Sequence, residues 1–161
     1  NCSLCMKACP TGAISENGLT TERCMRLQME TAQHPDSIRA MQKTFIGCEI
    51  CQYACPRNAK IPPADTESFR AANGDEINLN DVFNLKRLII GDAAQARSLV
   101  GRNFTGNGKL TAEAIAFAAN DSELFLSLRN EIFAAADSPF EAVRDAVRYA
   151  AAVEKKRSSR F

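Results

Sequence analysis

Six of the seven cysteines in this chain form two copies of one spacing, and this repeat constrains the fold more than any other feature. In each copy two residues and then three residues separate the cysteines, and a proline follows the last one. The copies are Cys2, Cys5, Cys9 with Pro10, and Cys48, Cys51, Cys55 with Pro56. An odd total of cysteines argues against a closed disulfide framework, so the repeat indicates metal ligands.

The spacing matches most of the Cys-x2-Cys-x2-Cys-x3-Cys-Pro run of bacterial ferredoxins, in which three thiolates hold one 4Fe-4S cluster and the fourth reaches a second cluster. Each copy here lacks the first cysteine of that run. In the first copy it would fall before Asn1, and in the second copy its place is taken by Phe45. Cys24 is the one cysteine outside both copies, and it is available as the replacement ligand.

We therefore predict two 4Fe-4S clusters as cofactors. Cluster B is assigned the thiolates of Cys9, Cys24, Cys48 and Cys51. Cluster A is assigned Cys2, Cys5 and Cys55, with a fourth cysteine upstream of Asn1, so the chain is expected to be the C-terminal portion of a longer protein. The alternatives are a cluster A with three cysteines only (an open iron or a three-iron cluster), structural zinc, which also uses Cys-x2-Cys pairs, and free or disulfide-bonded cysteines.

Composition divides the chain into four parts. They are a cysteine domain at 1–60, whose first motif is truncated at the N-terminus; a linker at 61–80, marked by Pro62-Pro63 and Asn73-Gly74; a helical domain at 81–157; and a tail at 158–161. Within the cysteine domain, the stretches 20–31 and 36–45 read as helices, with Asp36 as the cap of the second. His34 lies between them, and we interpret it as a surface residue.

The helical domain is predicted from apolar residues at helical spacing. A helix is expected to end near Gly91, a second segment follows at 92–101, and three more helices follow the loop at 101–108. The clearest stripe comprises Phe140, Val143, Val147, Ala150 and Ala151, in a helix capped by Asp137 or Ser138. The predicted fold class is α+β and mostly helical: a bacterial-ferredoxin-like double-cluster domain followed by HEAT-like α-helical repeats.

Composition also limits the location and the partners. No apolar run approaches the roughly 18 residues that cross a membrane, and the chain shows no export signal, so we expect a cytoplasmic protein with reduced thiols. The net charge of +1 does not by itself predict a polyanionic partner.

Three stretches, at 1–14, 21–31 and 45–59, resemble the double-cluster domain of epoxyqueuosine reductases. The resemblance is carried by the pair Arg23-Cys24 and by the block from Gly47-Cys48 to Asn58, in addition to the first motif. It implies an oxidoreductase that reduces the epoxide of a tRNA-borne queuosine precursor with cobalamin and two 4Fe-4S clusters. In that family the cobalamin and the general acid belong to an N-terminal domain, so no catalytic residue is assigned within these 161 residues.

The expected partners are a low-potential donor of the ferredoxin or flavodoxin type and tRNA. We interpret Arg57 and Lys60 as solvated charges, with donor docking as the alternative, and we expect Tyr53 to pack on a cluster. The cations at the C-terminus are read as solubilising, with tRNA phosphates as the alternative: Arg144, Arg148, Lys155, Lys156, Arg157 and Arg160. The rival functions are a stand-alone ferredoxin-like carrier and a helical scaffold with structural clusters.

Overall fold

The computed structural model describes residues 2–31, 34–62, 81–94, 96, 100 and 106–159, without the side chains of 30 and 31. The predicted linker lies almost wholly outside these residues, as do half of the segment at 92–101 and the last two residues of the tail. Within the described residues the chain is mostly helical, as predicted, and the only sheet there has two strands.

The cysteine region consists of short elements. They are α1 (Leu4–Ala8), β1 (Ile14–Ser15), β2 (Gly18–Leu19), a 3-10 turn (Thr21–Arg23), α2 (Met25–Thr31), α3 (Asp36–Arg39), α4 (Ile50–Tyr53) and a second 3-10 turn (Asn58–Lys60). The two strands form an antiparallel hairpin in which Ile14 lies opposite Leu19. Helices α1 and α4, which carry the middle cysteines of the two motifs, pack against each other.

Two helix predictions in this region are only partly correct. The stretch predicted as a helix at 20–31 is broken at Cys24, whose extended backbone separates the 3-10 turn from α2. The helix predicted at 36–45 ends at Arg39, and its cap position is Pro35, so Asp36 lies in the first turn. After Arg39 the helix gives way to tighter turns, in which the Met41 N–H donates to the Ile38 carbonyl at 3.0 Å and the Gln42 N–H to the Arg39 carbonyl at 3.0 Å. The chain turns again before the second motif, where the Thr44 hydroxyl donates to the Gly47 carbonyl and Gly47 has a φ of +81°.

The helical region comprises four described helices and one 3-10 turn. They are α5 (Val82–Ile89), α6 (Lys109–Asn120), α7 (Ser122–Ala134), a 3-10 turn (Ala135–Asp137) and α8 (Glu141–Ser158). Asp81 caps α5 by accepting from the Asn84 N–H, and Asp121 caps α7 by accepting from the first-turn N–H groups. The start of α8 differs from the prediction, because Phe140 occupies the cap position and the Ser138 hydroxyl accepts only from the Phe140 N–H.

Helix α6 lies at the centre of the core and contacts α5, α7 and α8. Its partners contribute fully buried side chains: Leu85, Leu88, Leu128, Ile132 and Val143. The predicted stripe on α8 is buried at Val143, Val147 and Ala150. Phe140 and Ala151 are exposed instead, because they lie at the edges of that stripe.

The segment between the two cysteine motifs packs onto this helical core. Phe45 is 1% exposed and belongs to the same buried cluster as the helices. Arg39 Nη2 lies 2.8 Å from Asp145 Oδ2 on α8, and Gln42 Nε2 lies 2.8 Å from Glu113 Oε2 on α6. The surface interpretation of His34 is wrong: this side chain is buried, with Nδ1 3.6 Å from Glu113 Oε1. The cysteine region is therefore anchored to the helices at its middle.

No helix in the described parts of the chain has both the length and the apolar character that crossing a membrane requires.

Candidate metal centre

Four of the seven cysteines line one cavity of about 540 Å³. They are the four assigned to cluster B: Cys9, Cys24, Cys48 and Cys51. Apolar side chains form much of the remaining wall, among them Pro10, Ile14, Leu19 and Met25. The structure therefore brings together thiols that come from three separate parts of the chain, with Cys24 lying outside both motifs.

Local backbone geometry directs these thiols toward the cavity. Cys9 ends α1 with an extended conformation, and its carbonyl accepts from the N–H of Gly12, whose φ is +61°. Cys24 likewise has an extended conformation between a 3-10 turn and α2. Before Cys51, Gly47 and Glu49 both have positive φ values, +81° and +46°, which turn the chain sharply into α4. Glycine at 47 meets this requirement without strain.

Cys9 lies in a shell of hydrogen-bond donors. The Ala13 N–H donates to Cys9 Sγ at 3.3 Å, and the Thr11 hydroxyl lies 3.5 Å from the same sulfur. Burial raises the pKa of the Cys9 thiol, but hydrogen bonds from Thr11, Ala13 and Ile14 together outweigh burial and lower the pKa. The site therefore favours a thiolate at this position, which is the form that binds metal.

Cys48 shows the opposite electrostatic environment. Burial raises the pKa of its thiol, the Ile50 N–H opposes this, and repulsion from Cys24, Cys51 and Cys9 adds to the rise. The repulsion reflects the common cavity that these four sulfur atoms line. Four thiolates so placed require a multiply charged cation centre to balance them.

Cys51 receives a hydrogen bond from the neighbouring side chain. Gln52 Nε2 lies 3.7 Å from Cys51 Sγ. The Gln52 amide is held in turn by Asn58 Nδ2, which donates to Gln52 Oε1 at 2.8 Å and to the Gln52 carbonyl at 3.2 Å. Spacing rules for ligands do not reveal this pair, since neither residue is a ligand type. The sequence signals are that Gln52 occupies the position that Met6 occupies in the first motif, and that both Gln52 and Asn58 lie in the block that resembles epoxyqueuosine reductases.

Of the residues assigned to cluster A, Cys5 lies on α1, Cys2 precedes α1 and Cys55 follows α4, and none of them lines this cavity. Cys2 is exposed, and Cys5 and Cys55 are half-buried. The two motifs have matching turns after their last cysteine, because the Gly12 N–H donates to the Cys9 carbonyl at 3.2 Å and the Asn58 N–H to the Cys55 carbonyl at 3.0 Å.

The donor set and the cavity fit an iron–sulfur cluster. Thiolates are the ligands of such clusters, and a cubane spreads four of them around four irons, as a cavity of about 540 Å³ with four thiols in its wall allows. Among the described residues, no group of three or more His, Cys, Asp or Glu side chains is arranged to hold a single metal ion.

The other predicted site residues are on the surface or have partners within the chain. Tyr53, expected to pack on a cluster, is 80% exposed. Arg57 and Lys60 are exposed, in keeping with solvated charges. Arg144 donates to the Ser138 carbonyl at 2.7 Å, and Arg148 pairs with an aspartate of its own helix.

The C-terminal cations likewise include one with a partner within the chain and others that are exposed. Arg157 donates to the Ala119 carbonyl at 2.9 Å, whereas Lys155 and Lys156 are exposed. Arg160 lies outside the described residues.

Comparisons with known proteins agree with the site. Residues 1–58 match the family described as the 4Fe-4S double cluster binding domain. The chain is 37% identical over 71 residues to the epoxyqueuosine reductase of Leadbetterella byssophila, which covers 42% of this chain and 24% of that protein. It is 41% identical over 64 residues to the enzyme of Lactococcus garvieae, covering 38% of this chain and 18% of that protein. For the Bacillus subtilis enzyme the identity is 38% over 61 residues, covering 36% of this chain and 16% of that protein.

These matches span no more than about a quarter of the length of those relatives. No solved structure matches the chain.

Proposed function

Because residues 1–58 are a 4Fe-4S double cluster binding domain similar to that region of epoxyqueuosine reductases, we propose that this chain is the electron-transfer portion of an epoxyqueuosine reductase-like oxidoreductase. The observation that carries the proposal is the cavity whose wall holds Cys9, Cys24, Cys48 and Cys51. An electron carrier needs its redox centres held by thiolates in a largely apolar wall, and this cavity has both features.

The two motifs exchange their last cysteines in this proposal. Cys9 of the first motif joins Cys24, Cys48 and Cys51 around cluster B, and Cys55 of the second motif joins Cys2 and Cys5 around cluster A, with a fourth ligand upstream. Each bound cluster supplies reversible storage of one electron at low potential. The packing of α1 on α4 keeps the two ligand sets adjacent, which suits a relay.

The donor and the acceptor lie outside the described residues. We assign the donor to the ferredoxin or flavodoxin type, and the acceptor to a corrinoid held by an N-terminal part of the protein. Reduction of an epoxide takes two electrons, so the ligand sets would serve two successive one-electron transfers. The exposed Lys155 and Lys156 are available to tRNA phosphates, and the assigned compartment is the cytoplasm.

Iron and sulfide analysis of the full-length protein tests the ligand assignment. Purified without oxygen, the protein should contain about eight irons and eight sulfides, and Cys24→Ala should lose about half of both because it removes a ligand of cluster B alone. Ser3→Ala, next to a proposed ligand, is the matched control and should retain them all. Zinc in place of iron, or a Cys24→Ala protein with its full iron content, would refute the assignment.

The rival functions differ in what accompanies the clusters. A stand-alone ferredoxin-like carrier would have clusters that are reduced and reoxidised reversibly, and it would bind neither a corrinoid nor tRNA. A scaffold would show clusters that resist reduction. Binding of cobalamin and of tRNA by the full-length protein, measured beside a dithionite titration, separates the three.

A further inference from the structure

Hydrogen bonds to cysteine sulfur are distributed unequally between the two ligand sets. Cys9 accepts from the Ala13 N–H at 3.3 Å and has the Thr11 hydroxyl at 3.5 Å, and Cys51 accepts from Gln52 Nε2 at 3.7 Å. Both cysteines belong to the set around the cavity. Within the described residues, no side chain or backbone N–H donates to the sulfur of any cysteine assigned to cluster A.

The two motifs have the same cysteine spacing, so they serve as internal controls for each other. The residue after the middle cysteine is Gln52 in the second motif and Met6 in the first, and a methionine has no N–H to donate. The residue three positions after the last cysteine is Asn58 in the second motif and Gly12 in the first. The second motif therefore has both members of an amide pair that the first motif lacks.

Asn58 determines how the Gln52 amide is oriented. Its Nδ2 donates to Gln52 Oε1 at 2.8 Å, which leaves the Gln52 Nε2 directed toward Cys51 Sγ. Without this partner, an exposed glutamine amide would turn freely and share its N–H groups with water. Asn58 is thus a positioning residue that acts on the sulfur through Gln52.

Donors at sulfur change the reduction potential of a cluster. A reduced cluster carries one more negative charge than an oxidised one, so N–H groups directed at its thiolates stabilise the reduced state. Building on the proposed function, we propose that Gln52, oriented by Asn58, together with the donors at Cys9, raises the potential of cluster B above that of cluster A. Cluster B then accepts the first electron from the low-potential donor, which is oxidised by one electron, and no bond is made or broken.

A redox titration followed by electron paramagnetic resonance tests this order in the anaerobically reconstituted full-length protein. Cys24→Ala identifies the signal of cluster B, because that signal disappears. In the unaltered protein, the signal of cluster B should develop at the higher potential. Gln52→Met, which gives the second motif the residue of the first, should lower the reduced-to-oxidised ratio of cluster B about tenfold at a fixed potential, equal to about 59 mV, and leave cluster A unchanged.

Two further variants separate this effect from a general disturbance of the fold. Asn58→Ala should shift cluster B in the same direction by a smaller amount, since Gln52 remains but loses its orientation. Met6→Gln places an amide beside Cys5 and should shift cluster A in the opposite direction. The inference is overturned if cluster A is reduced first, or if Gln52→Met leaves both potentials unchanged or shifts them equally. Absence of two cubane signals in the unaltered protein would instead overturn the proposed function.

Discussion

Replacing Glu113 with glutamine is expected to stabilise the protein at neutral pH and to flatten its stability at alkaline pH. Glu113 is 1% exposed, and burial raises the pKa of its carboxyl to about 8, although Gln42 and Arg39 act in the opposite direction. Across 3.6 Å lies His34, whose pKa is lowered to about 4 by burial and by the charge of Arg39. The pair is close enough to be an ion pair, but burial of both groups favours the neutral acid beside a neutral imidazole.

The magnitude follows from the shift in pKa. Glu113 has a reference pKa of 4.5, so between 4.5 and about 8 the unfolded chain is ionised while the folded chain keeps its proton. The contribution that the protonated Glu113 makes to the free energy of unfolding is therefore fully present below pH 4.5 and is lost as the pH rises toward 8. At 1.36 kcal/mol per unit, the loss reaches about 3 kcal/mol at pH 7 and about 5 kcal/mol at full ionisation. Glutamine has the same shape, can still accept a hydrogen bond from Gln42, and never ionises. Glu113→Gln should therefore recover most of the stability that the wild type loses at these pH values.

Urea unfolding at pH 5, 7 and 8.5, followed by circular dichroism, measures the effect. The free energy of unfolding of Glu113→Gln, taken relative to the wild type at each pH, should rise across this series, because the contribution of His34 is common to both proteins and cancels. Glu123→Gln, at an exposed position on α7, is the matched control and should follow the wild type. A loss of several kcal/mol in Glu113→Gln at pH 7 would refute the reasoning, because it would mean that an ionised Glu113 pairs with a charged His34.

Three further perturbations address other contacts. Relative to the wild type, His34→Gln should gain up to about 3 kcal/mol in urea unfolding as the pH falls from 6.5 toward 4, where the buried imidazole of the wild type must take up a proton; a difference that does not change with pH would contradict a neutral His34. Gly108→Ala should lower the thermal midpoint by several degrees, since its φ is +72° and a Cβ would lie 2.7 Å from Val143 Cγ2, whereas the control Gly106→Ala has no atom within 4 Å of its Cβ and should change little. Phe45→Ala should cost about 3–5 kcal/mol in urea unfolding and reduce the iron content, because this side chain fixes the chain just before Cys48; full stability would contradict its place in the core.

The cavity could be predicted in part because cysteine spacing is a local property. Residues two and three positions apart are held within one turn, so the ligand loops follow from the chain itself. The structure brings Cys24 to the same cavity as Cys48 and Cys51, and that these cysteines hold one cluster stays a prediction. Gln52 and Asn58 could not be found this way, because their role depends on side-chain orientation rather than on ligand type.

The predictions made from the sequence failed mainly where the burial of a residue depends on partners that are distant in the chain. His34 follows no apolar pattern, and it is buried where the inter-motif segment packs on α6, with Nδ1 3.6 Å from Glu113 Oε1. The helix predicted through residue 45 ends at Arg39, and Phe45, beyond that end, joins a core formed by helices much later in the chain. The α8 stripe was predictable because its periodicity needs no knowledge of the partner, apart from the exposed positions at its edges.

The anchoring of the inter-motif segment has a consequence for how such a module can be inherited. Residues 1–58 match a family domain, yet they pack against residues that lie outside it. Phe45 is buried in the core that the later helices form. Arg39 pairs with Asp145, and Gln42 donates to Glu113, both beyond the matched region. A gene fusion that carried only the cysteine stretch would leave buried polar groups unpartnered on both sides. A transfer of residues 1–58 to another protein must therefore include the helices, or the receiving protein must already provide polar partners at the same places.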